Sequence, residues 1–214
     1  GIIIGVASVI ILVSIVNGYM SSVVESFASM GVNRISVRLT NLSSRSVSVD
    51  DMYEFYEEHR DLFAQMSPNV SVNAVLKKGD DSLDMSSVGG YSEEYLDLMD
   101  YDLEAGRNIS YADIAARNKV CVIGYYVASQ LFGSPTEALD QTVKVNGYAF
   151  TVIGVVERQD EDELEEGGSD DFLWMPYSVA TKLSRSADIT SYTFATIDTD
   201  DTDTCKTLLE DFLY

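Results

Sequence analysis

An apolar opening segment constrains this chain more than any other part of its sequence. Residues 1–16 read GIIIGVASVIILVSIV and carry no charge, and the first charged residue is Glu25. Such a segment does not suit a water-exposed surface, because each exposed Leu, Ile or Val forfeits roughly 1.5–3 kcal/mol of burial. A helix of this length spans roughly 24 Å, short of the ~30 Å hydrocarbon core of a bilayer. We therefore expect the chain to begin inside a membrane helix.

Two other interpretations of this segment stay open at the level of sequence. It also fits a central helix of a soluble protein or the apolar part of a signal peptide. A signal peptide has a basic start and a small-residue cleavage site, and neither is present. Apolar residues continue at helical spacing as far as Met30, and Gly31 suits a helix C-cap. Residues 1–31 are predicted to be the end of transmembrane helix 1 and a stalk.

The charge balance excludes several classes of partner. The chain has 35 acidic and 14 basic residues and a net charge of −21. Nucleic-acid binding needs a basic face that neutralises phosphates, and an anionic lipid surface also attracts basic residues. Lys and Arg collect on the cytoplasmic flanks of membrane helices, whereas the segment after Val16 has neither before Arg34. The polar bulk is therefore expected on the extracytoplasmic side of a cell membrane.

Hydrophobic periodicity after Gly31 predicts an α+β fold built from two separated pieces. Residues 33–40 alternate as a strand, residues 51–66 form a helix with a capping box of Asp51 and Glu54, and residues 70–76 alternate again. Near the other end, we expect a helix over 179–184, a strand over 190–197 and a last helix capped by Asp201 or Thr202. We expect these β-α-β and α-β-α pieces to share one sheet, as a split porter-like subdomain.

The middle of the chain is predicted to be a β-rich insertion. The run KKGDD at residues 77–81 resembles a boundary, and Asn146-Gly147 is a strong signal for a two-residue hairpin. The acidic run 158–171 is predicted to be a mobile, solvated loop. The expected division is 32–80 plus 172–214 for the porter-like subdomain and 81–171 for the insertion. The last helix is predicted to run to Tyr214 without a C-cap, as expected of an excised domain.

The residues that could carry chemistry favour structural interpretations. His59 falls on the apolar stripe of the predicted helix, with Phe55 and Phe63 four residues away where a second metal ligand would be needed. A packed structural histidine is therefore preferred. Cys121 and Cys205 fall on apolar faces, so two buried thiols are favoured over a disulfide.

Two acidic runs resemble calcium sites only weakly. The run from Asp198 to Asp203 lacks the glycine at position 6 and the glutamate at position 12 of an EF-hand loop, and residues 159–171 fail the same test. Nothing matches a phosphate-binding loop or a nucleophile elbow. We therefore predict no catalytic, cofactor-binding or metal-binding residues and no enzymatic activity in this chain.

The order of several motifs resembles one family. Residues 1–18 resemble the end of the first membrane helix of MacB-like and FtsX-type ABC-transporter permeases, and GVNRISVR at residues 31–38 resembles the first strand of their extracytoplasmic core domain. Four later segments resemble that domain in order: LEAGRNIS at 103–110, VCVIGYYVASQLFG at 120–133, VKVNGYAFTVIGVV at 143–156 and MPYSVATKL at 175–183. The chain departs from the family at residues 137–141, where a Pro-Ile-Gly-like turn is common, and in the longer acidic run.

This resemblance implies a mechanical function. Such a domain would couple ATP hydrolysis by a separate cytoplasmic ABC ATPase to export or release of a substrate. The implied partners are that ATPase, a second permease copy in a homodimer or paired permease, the membrane, and a periplasmic-adaptor-like (membrane fusion) protein. Two alternatives are an FtsX-like regulator that activates an extracellular cell-wall hydrolase and a membrane-anchored binding or sensor module.

Overall fold

The computed structural model describes residues 33–39, 47–84, 86–159, 164–184 and 188–213. Their strands are β1 (Arg34–Arg38), β2 (Phe63–Pro68), β3 (Val70–Ser71), β4 (Leu76–Lys78), β5 (Asp81–Leu83), β6 (Ser87–Tyr91), β7 (Leu103–Gly106), β8 (Val120–Ile123), β9 (Thr142–Val145), β10 (Tyr148–Val156), β11 (Phe172–Pro176) and β12 (Ser191–Thr196). Their helices are α1 (Val49–Glu58), α2 (Tyr95–Leu98), α3 (Tyr111–Ala116), α4 (Tyr125–Phe132), α5 (Pro135–Ala138), α6 (Tyr177–Ser184) and α7 (Thr202–Leu213).

The smaller sheet joins strands from opposite ends of the chain. Its order in the described residues is β1-β12-β2, and both pairings are antiparallel. Phe194 of β12 pairs with Ile35 on one side and with Met66 on the other. The α+β class and the split arrangement predicted from the sequence are therefore confirmed, because a strand that follows the long insertion completes a sheet begun before it.

Helices α1 and α7 cover one face of the smaller sheet. Helix α1 buries Met52, Phe55 and Tyr56, and α7 buries Cys205 and Leu209. The ring of Phe55 lies 4.6 Å from that of Phe212 and 6.4 Å from that of Phe194, measured between centroids. Apolar side chains at helical spacing thus bury against apolar side chains that alternate along the strands.

The helix predicted over residues 51–66 is wrong in its second half. Helix α1 ends at Glu58, His59 is its C-cap, and Phe63 already belongs to β2. The capping box is formed by Ser48 and Asp51 instead of Asp51 and Glu54. Phe63 and Met66 are fully buried in the same core as α1, so their spacing continued the apolar pattern of the helix by coincidence.

The strand predicted over residues 70–76 is also different in the structure. It is divided into β3 and β4, and both belong to the second sheet. β3 pairs with β6, and β4 pairs with β5 and β9. The run KKGDD forms the turn between β4 and β5, where Gly79 has a φ of 61°. β2, at residues 63–68, instead supplies the strand of the smaller sheet.

The larger sheet is mixed. Its order within the described residues is β3-β6-β11-β8-β10-β9-β4-β5, with β7 paired to β10. The pairs β8–β10 and β6–β11 are parallel, and the hairpin predicted at Asn146-Gly147 joins β9 to β10. Helix α6 packs against β3, β6 and β11 of this sheet. That approach needs Gly90, because a Cβ there would lie 2.2 Å from Ala180 Cβ.

The hydrophobic interior has two parts. The first is continuous from Phe55 and Phe194 at the smaller sheet to Val127 and Val152 at the larger one. The second lies on the other side of the larger sheet around Trp174. Within the described residues, no helix combines the length and apolarity needed to cross a membrane. The predicted membrane helix and stalk, residues 1–31, lie outside the described part of the chain.

Candidate functional site

The contact between the two sheets is the part of the structure that best fits a functional role. The segment from Ser92 to Met99, which we call the junction segment, follows β6 of the larger sheet and lies against β2 of the smaller one. Ser92 donates from its backbone N to Ser67 Oγ at 3.0 Å and from its Oγ to the Met66 carbonyl at 3.0 Å. Both serines are buried, so these bonds are shielded from water.

Glu94 is the charged centre of this junction. Its Oε2 accepts a hydrogen bond from the Met66 backbone N–H at 2.9 Å and lies 2.9 Å from the Tyr56 hydroxyl. The Arg60 guanidinium donates to the same hydroxyl and lies 3.6 Å from Glu94 Oε1. Within the described residues β2 is an edge strand of the smaller sheet, so Glu94 satisfies a strand N–H that has no strand neighbour there. Burial and the hydrogen bond to Glu94 raise the pKa of the Tyr56 phenol.

A second set of contacts joins the other edge of the smaller sheet to the same segment. Arg34 of β1 donates from Nη2 to the Met99 carbonyl at 2.9 Å. Burial raises the pKa of Tyr95 and of Tyr101, and the nearby Arg34 cation opposes that shift in both. Tyr95 also packs edge-on against Trp174, with 4.9 Å between the ring centroids. The junction segment is therefore held by both outer strands of the smaller sheet.

The sequence pattern gave no indication of Ser67, Ser92, Glu94 or Arg34 as junction residues. Each is a common polar residue without a motif, and their contacts join positions up to 65 residues apart along the chain. The useful signal was indirect: a polar Ser-Glu-Glu run directly after the buried strand β6. The contacts themselves are hydrogen bonds, an ion pair and ring packing, which hold two units in a fixed relation.

The structure places His59 at the end of α1, packed against the phenyl ring of Phe55. It lies at the C-cap of α1 with Nδ1 2.8 Å from the Phe55 carbonyl oxygen, and its ring stacks on Phe55 with 4.4 Å between centroids. Within the described part of the chain, no group of three or more His, Cys, Asp or Glu side chains could hold a metal ion.

The two cysteines are buried free thiols. Cys121 lies in β8 and Cys205 in α7, and both have no exposed surface. Burial raises the pKa of both thiols, so the reactive thiolate is disfavoured. The sequence-based preference for two buried thiols over a disulfide is confirmed.

The acidic run 158–171 is not wholly solvated, which corrects the prediction. Asp170 and Asp171 are buried at its end, where Asp170 Oδ1 accepts from the Gln159 backbone N at 2.9 Å and Asp171 Oδ2 accepts from the Gly167 backbone N at 2.8 Å. Residues 160–163 lie outside the described part of the chain. The two aspartates thus fix the turn that leads into β11.

Comparisons with solved structures show the same fold. The periplasmic region of MacB from Actinobacillus actinomycetemcomitans superposes with a TM-score of 0.68 at 24% identity, covering 88% of this chain and 86% of that one. The extracellular domain of the noncanonic ABC-type transporter YknZ from Gram-positive bacteria has a TM-score of 0.64 at 17% identity, covering 84% of this chain and 94% of that one.

Sequence comparisons agree. The macrolide export ATP-binding/permease protein MacB of Neisseria gonorrhoeae is 31% identical over 186 residues, which are 83% of this chain and 28% of that protein. The pyoverdine export ATP-binding/permease protein PvdT of Pseudomonas savastanoi pv. phaseolicola is 29% identical over 204 residues, which are 92% of this chain and 30% of that protein. The chain therefore spans less than a third of these relatives. A family model for the MacB-like periplasmic core domain matches residues 1–212, and the chain belongs to that family.

Proposed function

We propose that this chain is the extracytoplasmic part of an ABC-transporter permease in a cell membrane. In that proposal, ATP hydrolysis by a separate ATPase moves the domain, and the movement drives export or release of a substrate. The relatives support an export function, since they are named as macrolide or pyoverdine export ATP-binding/permease proteins. The chain itself would perform no catalysis.

The junction is the observation that carries this proposal. A domain that transmits movement needs firm contact between the part attached to the membrane and the part that acts on the substrate or partner. The apolar segment 1–16 precedes β1 in the sequence, and β1 belongs to the smaller sheet. From that sheet, contacts of Arg34, Ser67 and Met66 reach the junction segment of the larger one.

We propose that the domain that transmits this movement consists of two units in contact at the junction. The sequence suggested boundaries near residues 80 and 172, whereas the strand pairing supports boundaries closer to residue 69 and residue 185. The smaller unit would then hold β1, α1, β2, β12 and α7, and the larger unit would hold residues 70–184. Helix α6 is assigned to the larger unit because it packs on β3, β6 and β11.

The proposed partners follow from the same assignment. They are a cytoplasmic ABC ATPase, a second permease copy, and an adaptor-like protein outside the membrane. Nucleic acid is not among them, since a net charge of −21 repels phosphate.

The test uses the full-length permease with its co-purified ATPase in lipid nanodiscs. Spin labels on Glu104→Cys, an exposed position in β7, report the distance between the two copies by pulsed electron paramagnetic resonance. We expect ATP and its trapped hydrolysis state to give different distances. Glu94→Ala should reduce that difference while ATP hydrolysis continues, because contact between the sheets is weakened.

The control is Glu57→Ala, which removes an exposed carboxylate 3.9 Å from Arg60 but leaves Glu94 in place. It should behave like the wild type. Absence of a co-purified ATPase, or the same distance in all nucleotide states, would contradict the proposal. Capture of a cell-wall hydrolase in place of an export partner would favour the regulatory alternative.

A further inference from the structure

Glu93 differs from its neighbours in the junction segment because its carboxylate has an unsatisfied oxygen. Oε2 is inaccessible to water and has no hydrogen-bond partner among the residues that the structure describes. Ser92 and Glu94 on either side are fully engaged with the smaller sheet. The Asn108 side chain donates to the backbone carbonyl of Glu93 at 2.8 Å and not to its carboxylate, which receives a hydrogen bond from its own backbone N–H.

The groups around Glu93 do not compensate a negative charge. From α1 it faces the phenol of Tyr53 and from α6 that of Tyr177, and these two phenols hydrogen-bond to each other. Glu94 adds a second negative charge near Glu93. Asp50 and Tyr111 lie near Tyr177 and bring no positive charge to it. The ion pairs formed by the described side chains are Arg60 with Glu57 and Glu94, Arg107 with Asp113, and Lys206 with Asp203, none of which includes Glu93.

Glu93 as a whole is half-buried, but a carboxylate oxygen that is shielded from water and lacks a donor is costly, and two changes remove that cost. The carboxylate can take up a proton, or the elements that cover it can separate and admit water. Helix α1 belongs to the smaller unit and α6 packs on the larger sheet, so their separation is an opening of the junction.

We propose that Glu93 is a proton-sensitive contact of the junction. Protonated Glu93 stays between α1 and α6 with its Oε2 shielded and keeps the two units together, whereas ionised Glu93 favours their separation. Burial raises the pKa of Glu93 above its ordinary value of 4.5, and the charge of Glu94 adds to the shift. The closed arrangement therefore binds the proton more tightly than the open one.

The stability of the closed arrangement depends on pH. Below pH 4.5 Glu93 is protonated in both arrangements and imposes no cost on closure. As the pH rises from that value through the raised pKa of the closed arrangement, closure loses stability. Above that pKa the full cost is present and no longer depends on pH.

The test measures the distance between α1 and α6 in the full-length protein in nanodiscs. Spin labels are placed on Glu54→Cys and Lys182→Cys, both exposed, while Cys121 and Cys205 stay unlabelled because they are buried. Between pH 4 and pH 8 we expect a shift from a short, narrow distance distribution towards a longer one. Glu93→Gln should keep the short distance at every pH.

Glu93→Leu is the second variant and removes the charge without offering a new hydrogen-bond donor. It should also abolish the pH response, so the proposal does not depend on the folding of one variant. Glu104→Gln removes an exposed carboxylate from β7 and should retain the wild-type response. A pH-independent wild type, or an unchanged pH response in both Glu93 variants, would overturn the proposal.

Discussion

At the scale of single residues, two carboxylates each serve several donors. Glu94 accepts from the Met66 backbone N–H and lies beside the Tyr56 hydroxyl and Arg60. Asp113 accepts from Arg107 at 2.8 Å, from the Ser110 hydroxyl at 2.7 Å and from Asn118 at 3.0 Å. Asp113 is buried, and the three donors fix the turn before α3 and the end of that helix. Both residues satisfy polar groups that would otherwise lose hydrogen bonds on folding.

Replacement of Glu94 by Ala should destabilise the folded protein by about 2 kcal/mol, because it removes a charged acceptor from a strand N–H and a buried phenol. The measurement is urea unfolding of the purified chain in detergent. Glu57→Ala, which breaks only an exposed contact with Arg60, should cost less than about 0.5 kcal/mol. Equal effects of the two changes would refute this role of Glu94.

Replacement of Asp113 by Asn should have an effect that depends on pH. The Arg107 hydrogen bond, aided by Ser110 and Asn118, lowers the pKa of Asp113 below its ordinary 3.8. A lowered pKa stabilises the fold above pH 3.8, and that stabilisation is lost as the pH falls through the lowered pKa.

The wild type should therefore exceed Asp113→Asn in unfolding free energy at pH 7, and the difference should shrink in acid. Urea unfolding at pH 7, 5 and 3 measures both. Asp97→Asn, at an exposed position of α2, is the control and should match the wild type at each pH. A difference that is constant with pH would contradict the ionic origin of the effect.

At the scale of elements, glycines with positive φ serve two different purposes. Gly147 has a φ of 85° in the β9–β10 turn, and a Cβ there would meet nothing within 4 Å. Gly106 has a φ of 84° at the end of β7, and a Cβ there would lie 2.2 Å from the Ile153 carbonyl oxygen. The first glycine supplies backbone freedom only, whereas the second also permits close approach of two strands.

The two Gly→Ala variants should therefore differ. Gly147→Ala should cost about 1 kcal/mol, the strain of a left-handed conformation. Gly106→Ala should cost that amount plus about 1–3 kcal/mol for the backbone clash. Thermal unfolding of the pair, side by side, separates the two contributions. Equal losses would show that the strands relax around a Cβ at Gly106.

The elements differ in how well their sequences predict them. The turn at Asn146-Gly147 was predictable because both residues tolerate positive φ, which a two-residue hairpin requires. The end of α1 was not predictable, because Phe63 and Met66 keep helical spacing although their backbone pairs with β12. That pairing depends on residues more than a hundred positions away, which a local pattern does not contain.

The junction was also beyond the reach of local sequence patterns. The structural roles of His59 and the cysteines followed from their apolar surroundings in the sequence. The role of Glu94 did not follow from its neighbours in the sequence, because it depends on the position of the edge strand β2. Only the assembled sheet defines that edge.

At the scale of the whole molecule, the net charge of −21 is the dominant electrostatic feature. Like charges repel one another more when the chain is compact than when it is unfolded. Salt screens exposed charges over about 10 Å at 0.1 M ionic strength. The acidic surface therefore lowers the stability of the folded chain at low salt.

An increase from about 20 to about 300 mM NaCl should raise Tm by roughly 2–4 °C, corresponding to about 1 kcal/mol. Differential scanning fluorimetry of the purified chain in detergent measures this shift. Calcium chloride at matched ionic strength is the control. A larger shift with calcium than with sodium would indicate that an acidic run binds calcium, contrary to the sequence-based expectation.

The position of β12 between β1 and β2 also sets the order in which the molecule can fold. Residue 34 pairs with residue 195, so the smaller sheet has no central strand until residues up to 196 have left the ribosome. The larger unit, whose strands lie within residues 70–176, is complete earlier. During synthesis, β1 and β2 therefore lack their partner strand β12 while the insertion folds. Closure of the smaller sheet, with its long-range contacts, is expected to be the slow last step.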